Sequence, residues 1–440
     1  MPQNSRLTKS QKIKLADART ITAIGKLGEG GQGTVYRVRI DGTNEEYALK
    51  WYFIEKVKEP QAFYDNLKEN IKVGSPSPAF VWPEELTEWV NGTFGYIMRI
   101  FPDEYKGFSK YLMARVRFSN FAAMVNAALN IVVAFKDLHY KGYNYQDLND
   151  GNFSIEPLTG DVLICDNDNV MGHGQSSGVL GKARYMAPEV VRGDERPNKK
   201  TDRFSLAVLL FMLLIGDHPL EGAKTNVPAL TNKYDKKFFG TEPLFIFDEQ
   251  DSSNMPVQGL HKNAISFWPC FPKFIQKAFV KSFSQESLLK AQGRLQESEW
   301  IHLLIQLKSS IIKCPRCGSE MFLESNGETI CPDCKNLVKP AGYLKFAKRR
   351  HNIEISVPIF EGVKLYEYHM SDTSEDYQTE AAVILVKPGK YGLQNNSKHC
   401  WKITANDGRT GTKQQGEIAI LGIGFKIDFG NGNIAEVMSI

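Results

Sequence analysis

The chain has 440 residues, 42% of them hydrophobic and 24% charged, enough for two or three domains with substantial cores. Its formal net charge of +4 is too small an excess over that length to make nucleic acid or an acidic membrane the main partner. The longest apolar run, residues 206–215, is too short to span a bilayer, and residues 1–19 are polar and basic with no apolar centre, so a soluble, cytoplasmic chain is expected.

Residues 1–20 read as a loose lead-in. Gly28, Gly30 and Gly33 then stand in G-x-G-x-x-G spacing with alternating apolar residues on both sides. Dinucleotide folds and kinases both use that spacing. A dinucleotide loop runs from strand into helix, whereas residues 34–40 alternate like a second strand. The expectation is therefore a glycine-rich hairpin that can lie over phosphates with no side chains in the way. A third strand over residues 46–52 carries Lys50 among apolar neighbours, where a lysine can clamp the α- and β-phosphates.

Further on, an apolar, helix-like run (131–138) leads into Tyr145-Gln146-Asp147-Leu148-Asn149-Asp150-Gly151-Asn152. A short hairpin (153–155 and 162–164) follows and ends at Cys165-Asp166. An Asp, an Asn five residues on and a second Asp after a strand is the layout of a phosphoryl-transfer site. One Asp orients the attacking hydroxyl, while the Asn and the other Asp hold metal ions against the phosphates. Those roles fall to Asp147, Asn152 and Asp166.

Together with Tyr185-Met186-Ala187-Pro188-Glu189, these motifs stand in the order of the eukaryotic-type protein kinases, which residues 21–310 resemble. The resemblance implies an α+β, bilobal fold that uses ATP with Mg²⁺ (or Mn²⁺) and phosphorylates a protein on Ser or Thr. It implies nucleotide contacts from Leu27, Gly28, Gly30, Gly33, Val35, Ala48, Lys50 and Met98, with backbone bonds to the adenine from residues 99–101. A helix over residues 61–73 should supply an acid to Lys50; Glu69 is the choice and Asp65 the rival. Large-lobe helices are expected at 108–112 and 122–140, with a closing helix at 300–307. Glu189 should meet Arg294 in a buried pair, and Asp202 should hold the backbone of the catalytic loop. Residues 223–270 are insertion-like and unassigned.

Three departures from the family pattern matter. The family's His-Arg-Asp-Leu-Lys reads Tyr145-Gln146-Asp147-Leu148-Asn149 here. Loss of the Arg removes the receptor for an activation-loop phosphate, so activity without that phosphorylation is expected, although Ser176 and Ser177 lie in the loop. Loss of the Lys leaves the transferred group short of one positive charge, because Asn149 offers only hydrogen bonds. Lys182, standing where the family has Thr, is expected to reach the γ-phosphate or Asp147 and restore the cation; the alternative is an exposed loop lysine. Lastly, Asp166-Asn167-Asp168 replaces Asp-Phe-Gly. Asn167 cannot pack as the Phe does, which argues against in/out switching of the motif, and Asp168 is either a bystander or a helper at the metal. Nothing that transfer strictly needs is absent. An active enzyme is thus favoured over a pseudokinase scaffold that binds nucleotide and presents its tail, and residues 185–189 speak against a small-molecule kinase.

In the tail, Cys314-x-x-Cys317 and Cys331-x-x-Cys334 are four of the seven cysteines, and the two knuckles complete a closed thiolate tetrahedron for a structural Zn²⁺ (residues 311–340). Residues 341–440 read as an all-β sandwich, with strands over 357–368, 381–386, 400–404, 417–421 and 425–429 between Asn-, Gly- and Asp-rich turns. Residues 392–397 and 426–430 resemble the later part of a forkhead-associated domain. The Gly-Arg and Ser-x-x-His signatures that grip phosphothreonine are not found together, so the domain reads as degenerate: a dock for substrate or partner, or a stabilising appendage. A kinase trailed by a zinc ribbon and a β domain resembles the bacterial kinases of the tellurite-resistance-associated phosphorylation triad. That resemblance implies a von Willebrand-type protein and a metal-dependent phosphatase as partners.

Overall fold

A computed structural model describes residues 6–172, 181–227, 231–347, 354–371, 373–387 and 389–440. Ser176 and Ser177 lie outside the described residues. The small lobe is one antiparallel sheet of β1 (Lys12–Lys14), β2 (Thr20–Glu29), β3 (Gly33–Ile40), β4 (Glu46–Tyr52), β5 (Glu85–Leu86) and β6 (Gly95–Met98), in the order β1-β2-β3-β4-β6-β5. The stretch read as a loose lead-in thus supplies the edge strand β1, because Ile13 and Leu15 alternate inward and are buried.

Strand periodicity divides the sheet into two faces. Tyr36, Val38, Leu49 and Trp51 pack on one; Ala48, Tyr52, Tyr96 and Met98 pack on the other, beneath α1 (Pro60–Val73). Lys50 lies between Ala48 and Tyr52 on β4 and shares their face. In α1, Pro60 opens the helix and Gly74, at φ 81°, ends it. Its inward stripe is Phe63, Leu67, Asn70 and Ile71.

Large-lobe helices are α2 (Phe108–Leu112), α3 (Phe121–Tyr140), α4 (Pro188–Arg192) and α5 (Lys199–Ile215), followed by Lys273–Ser282 and Glu297–Lys308. By length and composition α3 is apolar enough to cross a membrane, yet Val125, Leu129, Val132 and Phe135 lie in the core of this lobe. The unassigned stretch at 223–270 forms short helical turns whose Phe245 and Trp268 pack on Phe211 of α5. Those two aromatics therefore belong to the core, while Tyr234 and Phe267 of the same stretch stay exposed.

The ribbon is two hairpins, Ile311–Lys313 with Glu320–Phe322 and Thr329–Ile330 with Leu337–Val338. Beyond it stands an antiparallel sandwich of a six-stranded and a four-stranded sheet. The single strand expected over 357–368 is instead Ser356–Pro358, Lys364–Tyr366 and a helical turn, Glu367–Met370. The break falls at Gly362, where φ is 79°. Strands Lys390–Asn395, Thr410–Lys413 and Ile434–Met438 were not expected from the sequence.

The tail is seated on the large lobe. Phe322 stacks on Phe121 at 4.9 Å and on Phe271 at 5.0 Å. Glu320 accepts from the Phe121 N–H (2.7 Å) and Glu324 from the Lys273 N–H (2.6 Å), so two ribbon carboxylates each cap the first turn of a kinase helix. On the sandwich side, Lys308 donates to Gln378 Oε1 (2.9 Å) and lies 4.0 Å over the Tyr366 ring.

Candidate active site

The cleft between the lobes is lined on its apolar side by one cluster that joins Val35, Ala48 and Met98 to Leu163 of the large-lobe hairpin. Ala48 and Met98 face each other across β4 and β6, and Val35 is the β3 partner of Lys50. Leu27, by contrast, is 46% exposed at the hairpin. Gly28 and Gly30 face open space, as a loop that covers phosphates requires. Gly33 has a different reason: a Cβ there would meet Trp51 O at 2.3 Å, so only glycine lets β3 close onto β4.

Lys50 is buried and its Nζ donates to two carboxylates, Asp166 Oδ1 and Asp168 Oδ2, the latter at 2.6 Å. Tyr52 donates its hydroxyl to the same Asp168 oxygen at 2.5 Å. The acid expected from α1 is not there. Glu69 is a surface residue 3.9 Å from Lys72, and Asp65 accepts from Gln61; both project away from the sheet because Leu67 and Asn70 hold the inward face. Asp168 is therefore no bystander but the buried partner of Lys50.

Asp166 sits in the left-handed region at φ 61°, which a non-glycine residue adopts only when its surroundings hold it there. Its neighbour does part of the holding. Asn167 is fully buried and donates to Val81 O and Ile164 O, both at 2.8 Å. Val81 belongs to the segment joining α1 to β5, so Asn167 fastens the turn to both lobes.

The catalytic loop is fixed from within. Asn152 donates to Asp147 O (2.8 Å), and Asn149 donates to Asp147 Oδ1 (3.1 Å). Tyr145, where the family has His, donates its hydroxyl to Cys165 O and its N–H to Asp202 Oδ2 (2.7 Å). Asp202 also meets His139 Nε2 at 3.0 Å, whose Nδ1 meets Glu297 at 2.9 Å. Burial alone would lower the His139 pKa, but the bonds to Asp202 and Glu297 raise it overall. Glu297, although buried, is pulled down to about 2 by His139 and Arg203. Glu189 and Arg294 form a buried two-pronged pair at 2.7 and 2.8 Å.

Burial raises the Asp147 carboxyl pKa first, and the charge of Asp166 raises it further. The two carboxylates thus face common ground and would gain from a shared cation. Lys182 does not supply it by contact: it is exposed and meets Asp150 at 3.3 Å, not Asp147. The loop does pass close, since a Cβ on Gly181 would lie 3.0 Å from Asp147 Oδ1. Asp166 and Asn152 offer hard oxygen donors, which suit Mg²⁺.

In the ribbon, the four Sγ atoms of Cys314, Cys317, Cys331 and Cys334 lie within 4.8 Å of one another. The Cys314–Cys334 and Cys317–Cys331 separations are 3.6 and 3.7 Å. A tetrahedron with Zn–S bonds of about 2.3 Å has edges of about 3.8 Å. The four thiols fit the ion.

A glycine-rich hairpin over a lysine, facing a loop with Asp147, Asn152 and Asp166, defines a bilobal phosphotransferase-type domain. The chain belongs to the protein kinase domain family, whose sequence profile matches residues 21–269. It is 28% identical over 215 residues to the serine/threonine-protein kinase AtPK2/AtPK19 of Arabidopsis thaliana, covering 46% of this chain and 42% of that one. It is 27% identical over 206 residues to protein kinase C delta type of Mus musculus, covering 44% and 29%. With beta-adrenergic receptor kinase 1 of Homo sapiens it shares 26% over 215 residues, covering 45% and 29%. The chain thus spans less than half the length of these relatives.

Tyr52, Asn70 and Leu163 were missed as site residues from the sequence, and Asp168 was singled out there but not as the partner of Lys50. The signal for Tyr52 was present: it lies two residues beyond Lys50, hence on the same strand face.

Proposed function

We propose that this protein is an ATP-dependent serine/threonine protein kinase. The observation that carries the reading is the convergence of Lys50, Asp147, Asn152 and Asp166 on one cleft. Asp147 orients the substrate hydroxyl, whose oxygen attacks the γ-phosphorus. The bond from that phosphorus to the β–γ bridging oxygen breaks, the hydroxyl proton passes to Asp147, and ADP leaves. Lys50 holds the α- and β-phosphates. Asn152 and Asp166 would hold Mg²⁺ (or Mn²⁺), which neutralises the charge on the phosphates. Tyr145, bonded to Cys165 O, ties the loop to the metal turn without a phosphate, which supports activity independent of activation-loop phosphorylation.

The competing reading is a nucleotide-binding scaffold. It draws support from the contact between Lys50 and Asp166, which competes with a metal ion for that carboxylate. The substrate is read as a partner protein; the order of kinase, ribbon and sandwich supports the narrower placement beside a von Willebrand-type protein and a metal-dependent phosphatase. ATP and thiolate-bound zinc both suit the cytoplasm. The test is incubation with γ-labelled ATP and Mg²⁺, comparing wild type with Asp147→Asn and Lys50→Ala. Label on the protein or an acceptor, lost in both variants, supports the kinase. Tight nucleotide binding with no label, even with cell extract as acceptor, supports the scaffold.

A further inference from the structure

We propose that Asp168 is the positioning residue for Lys50, so that the phosphate-binding lysine is set by the metal-binding turn and not by helix α1. The proposal rests on the phosphate-binding role of Lys50 proposed above, but not on phosphoryl transfer taking place.

Burial separates the two carboxylates that Lys50 touches. The Asp166 side chain is 36% exposed, whereas that of Asp168 is fully enclosed. A metal ion held by Asp166 would draw on the exposed carboxylate and leave Lys50 its enclosed one. Asp168 is held by two donors from one strand, Lys50 Nζ and the Tyr52 hydroxyl, which meet the same oxygen. Its other oxygen, Oδ1, is buried with no partner among the described residues. Asp168 cannot swing away, because the preceding Asn167 is bonded to backbone carbonyls of both lobes.

Helix α1 is built as a neutral wall. Its inward positions are apolar except Asn66, whose Nδ2 is buried, and Asn70, which donates to Val170 O (3.2 Å) and whose own carbonyl accepts from Trp82 (2.9 Å). Successive helical residues are about 100° apart, so turning Glu69 inward would expel Leu67 or Asn70 from the core. An acid on that helix therefore cannot take over the lysine while the core stays packed. Movement of α1, the route by which an acid could be offered to or withdrawn from Lys50, has nothing to switch here.

The experiment uses the full chain and four variants: Asp168→Asn, Lys50→Met, the double Lys50→Met/Asp168→Asn, and Asp65→Asn/Glu69→Gln. Melting without nucleotide and ADP affinity with Mg²⁺ are measured first, then kcat and KM for ATP. Asp168→Asn is expected to lower the unliganded melting temperature by about 5 °C and nucleotide affinity by about tenfold, since it leaves the buried Lys50 only the exposed Asp166 carboxylate. In the Lys50→Met background the same change should add nothing to the loss of affinity. Asp65→Asn/Glu69→Gln should stay within about twofold of wild type in affinity and kcat/KM. Additive losses from Lys50→Met and Asp168→Asn overturn the proposal, as does a loss in the helix double variant equal to that of Asp168→Asn. If Asp168→Asn does not fold, the helix double variant decides: unchanged affinity supports the proposal and a tenfold loss overturns it. Absence of phosphoryl transfer in wild type would count against the kinase reading alone, because melting and ADP binding need no transfer.

Discussion

Two buried charge clusters meet at Tyr145, which donates its N–H to Asp202 and its hydroxyl to Cys165 O, next to Asp166. They are built to opposite rules. Beneath the loop, His139 and Arg203 face Asp202 and Glu297, so charges of both signs balance and every cation lies against a carboxylate. In the cleft, among the described residues, Lys50 is the one cation in contact with Asp166 and Asp168, Asp147 is close enough to feel Asp166, and Asp168 keeps an unpartnered oxygen. A balanced buried cluster holds shape. An unbalanced one asks for a cation and stores the means to bind it.

The largest effect should come from cutting the cleft cluster's chemistry while sparing its fold. Asp147→Asn should lower phosphate transfer by about 10³-fold or more with little change in melting temperature, measured by label incorporation and calorimetry. Equal losses of melting temperature and transfer would erase the distinction between the clusters.

Zinc removal sharpens it from the structural side. Glu320 and Glu324 cap α3 and the helix Lys273–Ser282, so an unfolded ribbon uncovers both helix ends and exposes Phe322. Chelation, or Cys314→Ser, should lower the melting temperature of the kinase lobe by about 5 °C or more. A lobe that melts unchanged would make the ribbon an independent appendage.

The balanced cluster should also show itself in pH. Glu297 is depressed from 4.5 to about 2, so its contribution, about 3 kcal/mol, is complete above pH 4.5 and fades as pH falls toward 2. His139 is raised above 6.5, so its contribution is complete below that pH and is lost as pH rises through its folded value. Wild type should therefore lose its stability advantage over His139→Gln as pH climbs above 6.5, read by denaturant melts at several pH values. The smallest effect is expected at Lys182. It is exposed and paired with Asp150, so Lys182→Met should cost turnover no more than about threefold.

The motifs of the transfer site were legible because each is local: a glycine spacing, a lysine one strand on, an Asp and an Asn five residues apart. The partner of Lys50 was not, because 118 residues separate it from Asp168 and only the folded cleft brings them together. The choice of Glu69 was nonetheless avoidable. Glu69 follows Leu67 by two residues, about 200° around the helix, so the period that buries Phe63, Leu67 and Ile71 already turns it to solvent. In the tail, the strand at Thr410–Lys413 was invisible for another reason. It is an exposed edge of polar residues, held by the register of its neighbour Trp401–Thr404 and not by an apolar pattern of its own.

The central claim is that the unbalanced cleft cluster is a working phosphotransfer site, and labelled ATP tests it most directly. The purified 440-residue chain with Mg²⁺ and cell extract should pass the γ-phosphate to protein Ser or Thr, and Asp147→Asn, folded and still binding ADP, should not. Label that persists undiminished in Asp147→Asn, or tight ADP binding with no label in wild type, would contradict the account.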